Sequence, residues 1–128
     1  MGDVGSTLLG FSIVILGIYY QNTNQLSLFS WLMLTSLFWY DATVTLFRRW
    51  RNKEKLSEAH RKHAYQRIVQ SGFSHQKTTL IGLGINVLAF LLVWAGQNYN
   101  KLLLIFFAVQ IIILYSILRA IDRKKAFS

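Results

Sequence analysis

An all-α, polytopic membrane protein, with about four transmembrane helices and one short cytoplasmic amphipathic helix, is the fold class this sequence predicts. Three observations carry the expectation. Of the 128 residues, 53% are hydrophobic, and there is no proline and no cysteine. The apolar residues gather into four stretches, each near the ~20 residues needed to cross a bilayer core. The fourteen lysines and arginines, which leave a formal net charge of +9, are sorted almost entirely to one side of those stretches. A soluble helical bundle is the competing class, but its helices would show a polar face every three to four residues, and Leu102 to Leu118 has almost none.

The first stretch, Val4 to Tyr20, and the third, Thr79 to Ala95, are short for a span. They still fit if Tyr19, Tyr20 and Lys77 sit at the interface, where aromatic rings and long basic side chains are favourable. Leu26 to Phe47 and Leu102 to Ile121 reach full length. Gly10, Gly17, Gly82, Gly84 and Gly96 allow close packing with other helices. Residues 1–128 read as a single membrane domain. A signal peptide is not expected, because Asp3 sits where its positive n-region would lie. The lack of cysteine removes disulfide and thiol chemistry.

Charge sets the expected orientation, since Lys and Arg are retained on the cytoplasmic side of short loops. Nine of the fourteen lie between Arg48 and Lys77, four from Arg119 onward, and Lys101 stands alone between the last two stretches. Four spans then place Asp3, the Arg48 to Lys77 loop and the C-terminus on the cytoplasmic face of a bacterial inner membrane. The turns Gln21 to Gln25 and Gln97 to Lys101 face outward. Clustered positive charge also suits nucleic acid. Beside a membrane it is better read as an orientation signal or an attraction to anionic headgroups, so no nucleic-acid partner is expected.

Within the basic loop a short helix is expected over Ser57 to Gln70, with Ser57 as N-cap, Glu58 at the positive end and Gly72 as the stop. On such a helix His60, His63 and Arg67 fall at i, i+3 and i+7 on one face. Two readings stand. Arginine forks and imidazoles facing a cavity can hold a diphosphate, and a basic amphipathic helix can equally lie on lipid headgroups. No HExxH pattern, cysteine or close third ligand supports zinc.

Two acids stand out. Asp3 lies between Gly2 and Gly5 at the mouth of the first stretch, where glycine permits a tight turn and the carboxylate can reach a metal or phosphate. Alternatively, Asp3 or Ser6 caps the first helix and complements its dipole. Asp41 is set in an apolar run, two helical turns before Arg48. Charges in such runs face protein interior or water, so a partner such as Arg48 or Arg49, a bond from Thr45, or a substrate role are all open.

Met1-Gly2-Asp3-Val4-Gly5-Ser6, continuing to Leu9-Gly10, resembles the Gly-Asp-x-Gly-Ser motif of the polyprenyl-phosphate N-acetylhexosamine-1-phosphate transferases. His63-Ala64-Tyr65-Gln66-Arg67, preceded by Arg61, resembles that family's His-x-His-His-Arg loop motif, with Tyr65 and Gln66 where many members carry histidines. Asp41-Ala42-Thr43 through Arg48-Arg49, with the His60 to Arg67 segment, looks most like the branch that initiates O-antigen or related surface polysaccharides. The resemblance implies transfer of a sugar 1-phosphate from a UDP-N-acetyl sugar to undecaprenyl phosphate, with Mg²⁺ and release of UMP. It implies Asp3 as a catalytic group and metal ligand and His63 as a second catalytic group. Arg61 and Arg67, with His60 in support, would hold the UDP-sugar.

The family also uses Asp-rich motifs in earlier cytoplasmic loops. The five acids here, Asp3, Asp41, Glu54, Glu58 and Asp122, include no adjacent pair. The expectation is therefore the C-terminal third of such an enzyme, from a truncated or split gene or a fragment, inactive without its missing N-terminal part. A stand-alone, non-catalytic membrane protein that binds anionic lipid or a partner through its basic loop is the alternative from another class. Inactive debris of a frameshifted gene is a third reading.

Overall fold

The computed structural model describes residues 3–58, 61–97 and 99–127, and of residues 3, 6 and 100 the backbone alone. Its described residues form six helices and no strand: α1 (Asp3–Asn22), α2 (Leu28–Leu34), α3 (Ser36–Arg51), α4 (Ala64–Gln70), α5 (His75–Gly96) and α6 (Asn100–Lys124). The all-helical expectation holds. Among the described residues two helices are long and apolar enough to cross a membrane, His75–Gly96 and Lys101–Lys124, rather than the four expected. The apolar run Thr7–Asn22 of α1 is shorter.

The stretch expected as one span from Leu26 to Phe47 is split at Thr35, which closes α2 and opens α3 with φ −96° and ψ 4°. Breaking a helix frees carbonyls that hydrocarbon cannot solvate, so such a break persists only where other groups take them up. Here the Thr35 hydroxyl donates back to the Trp31 carbonyl at 2.8 Å, and the Trp39 indole N–H donates to the Leu32 carbonyl at 2.8 Å. From α6, the Gln110 amide donates to the Met33 carbonyl at 3.0 Å and to the Ser36 hydroxyl at 2.6 Å. Ser36 and Gln110 are buried with this joint.

The turn before α2 is built from side chains. Ser27 caps α2 by accepting from the Ser30 N–H at 3.1 Å, and the Gln21 side-chain oxygen accepts from the Leu28 N–H at 2.5 Å. Asn24 takes φ 55°, a left-handed conformation that asparagine tolerates. Helices α5 and α6 form a tight hairpin. A side chain at Gly96 would stand 3.1 to 3.3 Å from Phe106 and Leu103.

The interior lies among α2, α5 and α6, where Met33, Val93 and Leu103 are buried with Leu26, Leu34, Leu92, Phe106 and Phe107 around them. The outside is the less usual surface. Leu8, Phe11, Leu80, Leu83, Phe90, Trp94, Ile105 and Ile112 all stand exposed on α1, α5 and α6. An apolar exterior this extensive is what a lipid phase or a further protein covers.

The loop helix is shorter than expected. It starts at Ala64 with His63 as N-cap, so Ser57 is not its cap and His63 precedes the helix rather than sharing a face with Arg67. The cause is Arg49, whose buried guanidinium folds under residues 52–58 and donates to the carbonyls of Lys55 (2.5 Å), Glu58 (3.2 Å) and Leu56 (3.3 Å). Those carbonyls therefore face a cation instead of helical N–H groups. The far end agrees with expectation. Gly72, at φ 97°, donates to the Val69 carbonyl, and the Phe73 N–H reaches the Ile68 carbonyl, closing α4 with a glycine C-terminal motif.

Candidate functional site

Most of the charged side chains with close partners gather where α3 and α6 finish and α4 crosses them. Asp41 is on α3, half-buried, and among the described residues its carboxylate meets His63, Ala64 and Thr45 rather than an arginine. Its Oδ2 lies 3.0 Å from His63 Nδ1, and its Oδ1 accepts from the Ala64 N–H at 2.9 Å. Thr45 adds a long contact at 3.4 Å. Of the partners open to Asp41 on sequence grounds, Thr45 is therefore the minor one, and Arg48 and Arg49 are engaged elsewhere. A carboxylate at the first N–H groups of a helix satisfies donors that have no partner inside the helix. Asp41 does this for α4 from 23 residues away in sequence.

The His63 ring lies between that carboxylate and Tyr65, whose ring is stacked on it at 6.1 Å with planes 16° apart. Gln66 turns back to accept from the His63 backbone N–H at 3.3 Å. His63 is thus fixed through its backbone, its Nδ1 and one ring face. An apolar cavity of about 40 Å³ lies beside the pair, lined by Leu37, Ala64, Ile85 and Leu114 along with Asp41.

Arg67 sits on the same short helix but serves another acid. Its side chain is 3% exposed and donates to Asp122 at 2.6 Å and to the Lys125 carbonyl. Arg48, from α3, holds Asp122 with both terminal nitrogens at 2.8 Å. The Phe127 ring covers this knot, with the Arg48 and Arg67 guanidinium carbons 5.3 and 5.4 Å from its centroid and Lys62 Nζ at 5.5 Å. Next to it, Glu54 joins Arg49 (3.2 Å) and Lys62 (2.9 Å). The Lys62 bond above all holds the Glu54 carboxyl below its ordinary range, with Arg49 and Asn52 adding to it and desolvation opposing.

Of the expected site residues, the structure puts His63 at the N-cap of α4 and Arg67 within it, in separate networks. Arg61 is exposed just ahead of them, its carbonyl accepting from the Gln70 amide at 3.1 Å. Asp3 begins the backbone of α1, but its side chain lies outside the described residues, and so does His60. Sequence reasoning missed Asp122 and Phe127. The available signal was that Asp122 is the one acid in a basic tail.

The described acids do not fit Mg²⁺, which is held through carboxylates that remain open to it. Asp41 is committed to α4 and His63, Asp122 to Arg48 and Arg67, and Glu54 to Arg49 and Lys62, while Glu58 is an exposed carboxylate 3.5 Å from Lys55. No group of three or more potential ligands is found among the described residues.

Over 83 residues, 63% of its length, the chain is 31% identical to a Bacillus subtilis (strain 168) protein named as a probable undecaprenyl-phosphate N-acetylglucosaminyl 1-phosphate transferase. The match spans 23% of that relative's length. No protein-family model matches the chain. No solved structure matches it.

Proposed function

We propose that this chain is the loop-and-helix portion of an integral-membrane transferase that moves an N-acetylhexosamine 1-phosphate from a UDP-sugar to undecaprenyl phosphate. A phosphate oxygen of the lipid attacks the β-phosphorus of the UDP-sugar, and UMP leaves. The observation that carries this reading is the 31% identity over 83 residues to a probable enzyme of that kind. The setting agrees with it: a fixed imidazole and a concentration of arginines lie at one end of helices that are long and apolar enough to cross a membrane.

In this reading His63 and Asp3 are the catalytic groups, Arg61 with His60 contributes positive charge for the diphosphate, and Arg67, buried against Asp122, acts by holding α4 in place. Positioned cations and donors are the main contribution a protein makes to phosphoryl transfer. Since the described residues hold no cluster of potential ligands, Mg²⁺ would be held by Asp3 together with carboxylates from polypeptide outside this chain. The topology is that of a multi-pass inner-membrane protein, with α4 and the C-terminus cytoplasmic. The pathway is surface-polysaccharide, O-antigen-like synthesis.

The test is to co-express the chain with a polypeptide that supplies the acidic loops. UMP release is then measured from UDP-N-acetylglucosamine with undecaprenyl phosphate and Mg²⁺. Activity should require both parts and fall by at least ~100-fold in His63→Ala, in keeping with loss of a group acting on the reacting phosphates. Full activity of His63→Ala, or turnover by the 128-residue chain alone, would refute the assignment as stated.

A further inference from the structure

We propose that Asp41 is a positioning residue for His63, fixing through Nδ1 which tautomer and which orientation the imidazole presents to the anionic substrate. The inference deepens the transferase reading and rests on it for the substrate, although its structural half stands by itself.

A carboxylate oxygen can only accept, so Nδ1 at 3.0 Å from Asp41 Oδ2 must be the donor. The hydrogen bond made by one ring nitrogen sets the role of the other. The neutral ring therefore carries its proton on Nδ1 and turns Nε2 away from Asp41. The apolar walls beside the pair, Leu37, Ile85 and Leu114, lower the local dielectric and strengthen the bond. The same carboxylate anchors the first N–H of α4 at 2.9 Å, so ring orientation and helix start are fixed by one side chain.

A bland reading has Asp41 serving only as the remote cap of α4. Asp41→Asn separates the two. Its side-chain oxygen keeps the bond to the Ala64 N–H, while its amide must donate to Nδ1 and force the opposite tautomer. The measurement is ¹⁵N NMR of the histidine rings of the full chain in lipid nanodiscs, with His63→Ala identifying the resonances among the three histidines.

In the unsubstituted chain Nδ1 should resonate as protonated, and in Asp41→Asn the two nitrogens should exchange character while the Ala64 amide stays protected. Asp41→Glu should restore the original pattern. An unprotonated Nδ1 in the unsubstituted chain overturns the proposal even if no variant folds, and so does an unchanged tautomer in Asp41→Asn. In the co-expressed active assembly, Asp41→Asn should lower kcat by about 10- to 100-fold with little change in KM, the usual cost of losing an outer partner of a functional histidine. The expected tautomers without that loss of kcat would leave the positioning intact and remove His63 from the reaction.

Discussion

Asp122, close to the end of α6, receives the buried guanidinium of Arg67 at 2.6 Å and so ties the short helix α4 to the longest helix of the chain. Arg48 approaches the same carboxylate from α3, so Asp122 links three helices. Two cations on one anion leave net positive charge, and the face of Phe127 lies against both. Aromatic faces attract guanidinium groups, more so where water is partly excluded.

Replacing that carboxylate should loosen α4. Asp122→Asn leaves Arg67 buried without its counter-ion, a situation that costs ~3–5 kcal/mol for a fully buried pair. Because Asp122 is 25% exposed, about 2–3 kcal/mol is expected. Hydrogen exchange should show it as lost protection in α4 with α5 unaffected. Uniform protection in the variant would mean that Phe127 and the backbone hold α4 without the ion pair.

Glu54 gives a pH signature. Its folded carboxyl is held below the ordinary value of 4.5, mainly by the bond to Lys62. A depressed acid contributes stability that is fully present above the unfolded pKa and is lost as pH falls through the folded one. The Arg49 Nε–H resonance, which reports the 3.2 Å bond to Glu54, should titrate with a midpoint below the ordinary 4.5. Glu54→Gln should abolish that movement. A midpoint at or above pH 4.5 would contradict the geometry.

Local features were legible in the sequence, and features that depend on remote partners were not. Gly72 could be read as a helix stop because a left-handed residue after the last turn is a property of the glycine itself. Ser57 looked like a sound N-cap by the same local rules, yet Arg49 takes the carbonyls that a helix there would need. The break at Thr35 involves no proline or glycine, and one of its supports, Gln110, lies 77 residues from Met33. In the site, His63 and Arg67 could be picked out by residue type and spacing. Asp41 also stood out, but which acid each group holds did not, because Asp41 and Asp122 are 22 and 55 residues away from the groups they hold.

The joint between α2 and α3 should depend on Gln110. Gln110→Leu keeps the volume but leaves the Met33 carbonyl without its 3.0 Å donor. Interhelical side-chain bonds in membranes contribute ~0.6 kcal/mol on average and up to ~1.7, so a loss of about 1 kcal/mol is expected in detergent unfolding. Ser36→Ala should cost less, since Gln110 retains Met33. Spin labels at the exposed positions Phe29 and Leu46 should report a changed angle for Gln110→Leu, and an unchanged distance with full stability would show that Thr35 and Trp39 sustain the break without Gln110.

Two glycines of α1 should respond oppositely to the same substitution. Gly17 is buried against the indole of Trp31, so a Cβ there collides with the ring itself, while a Cβ at Gly10 meets nothing within 4 Å. Trp31 has little room to retreat, because Tyr20 packs on it at 6.1 Å. Overpacking of this kind costs ~1–3 kcal/mol, whereas exchanging an unobstructed helical glycine for alanine gains ~0.5–1 kcal/mol. Gly17→Ala should therefore lower the melting temperature and alter Trp31 emission, and Gly10→Ala should raise the melting temperature slightly. Equal behaviour of the two variants would mean that α1 does not rest on α2 at Trp31.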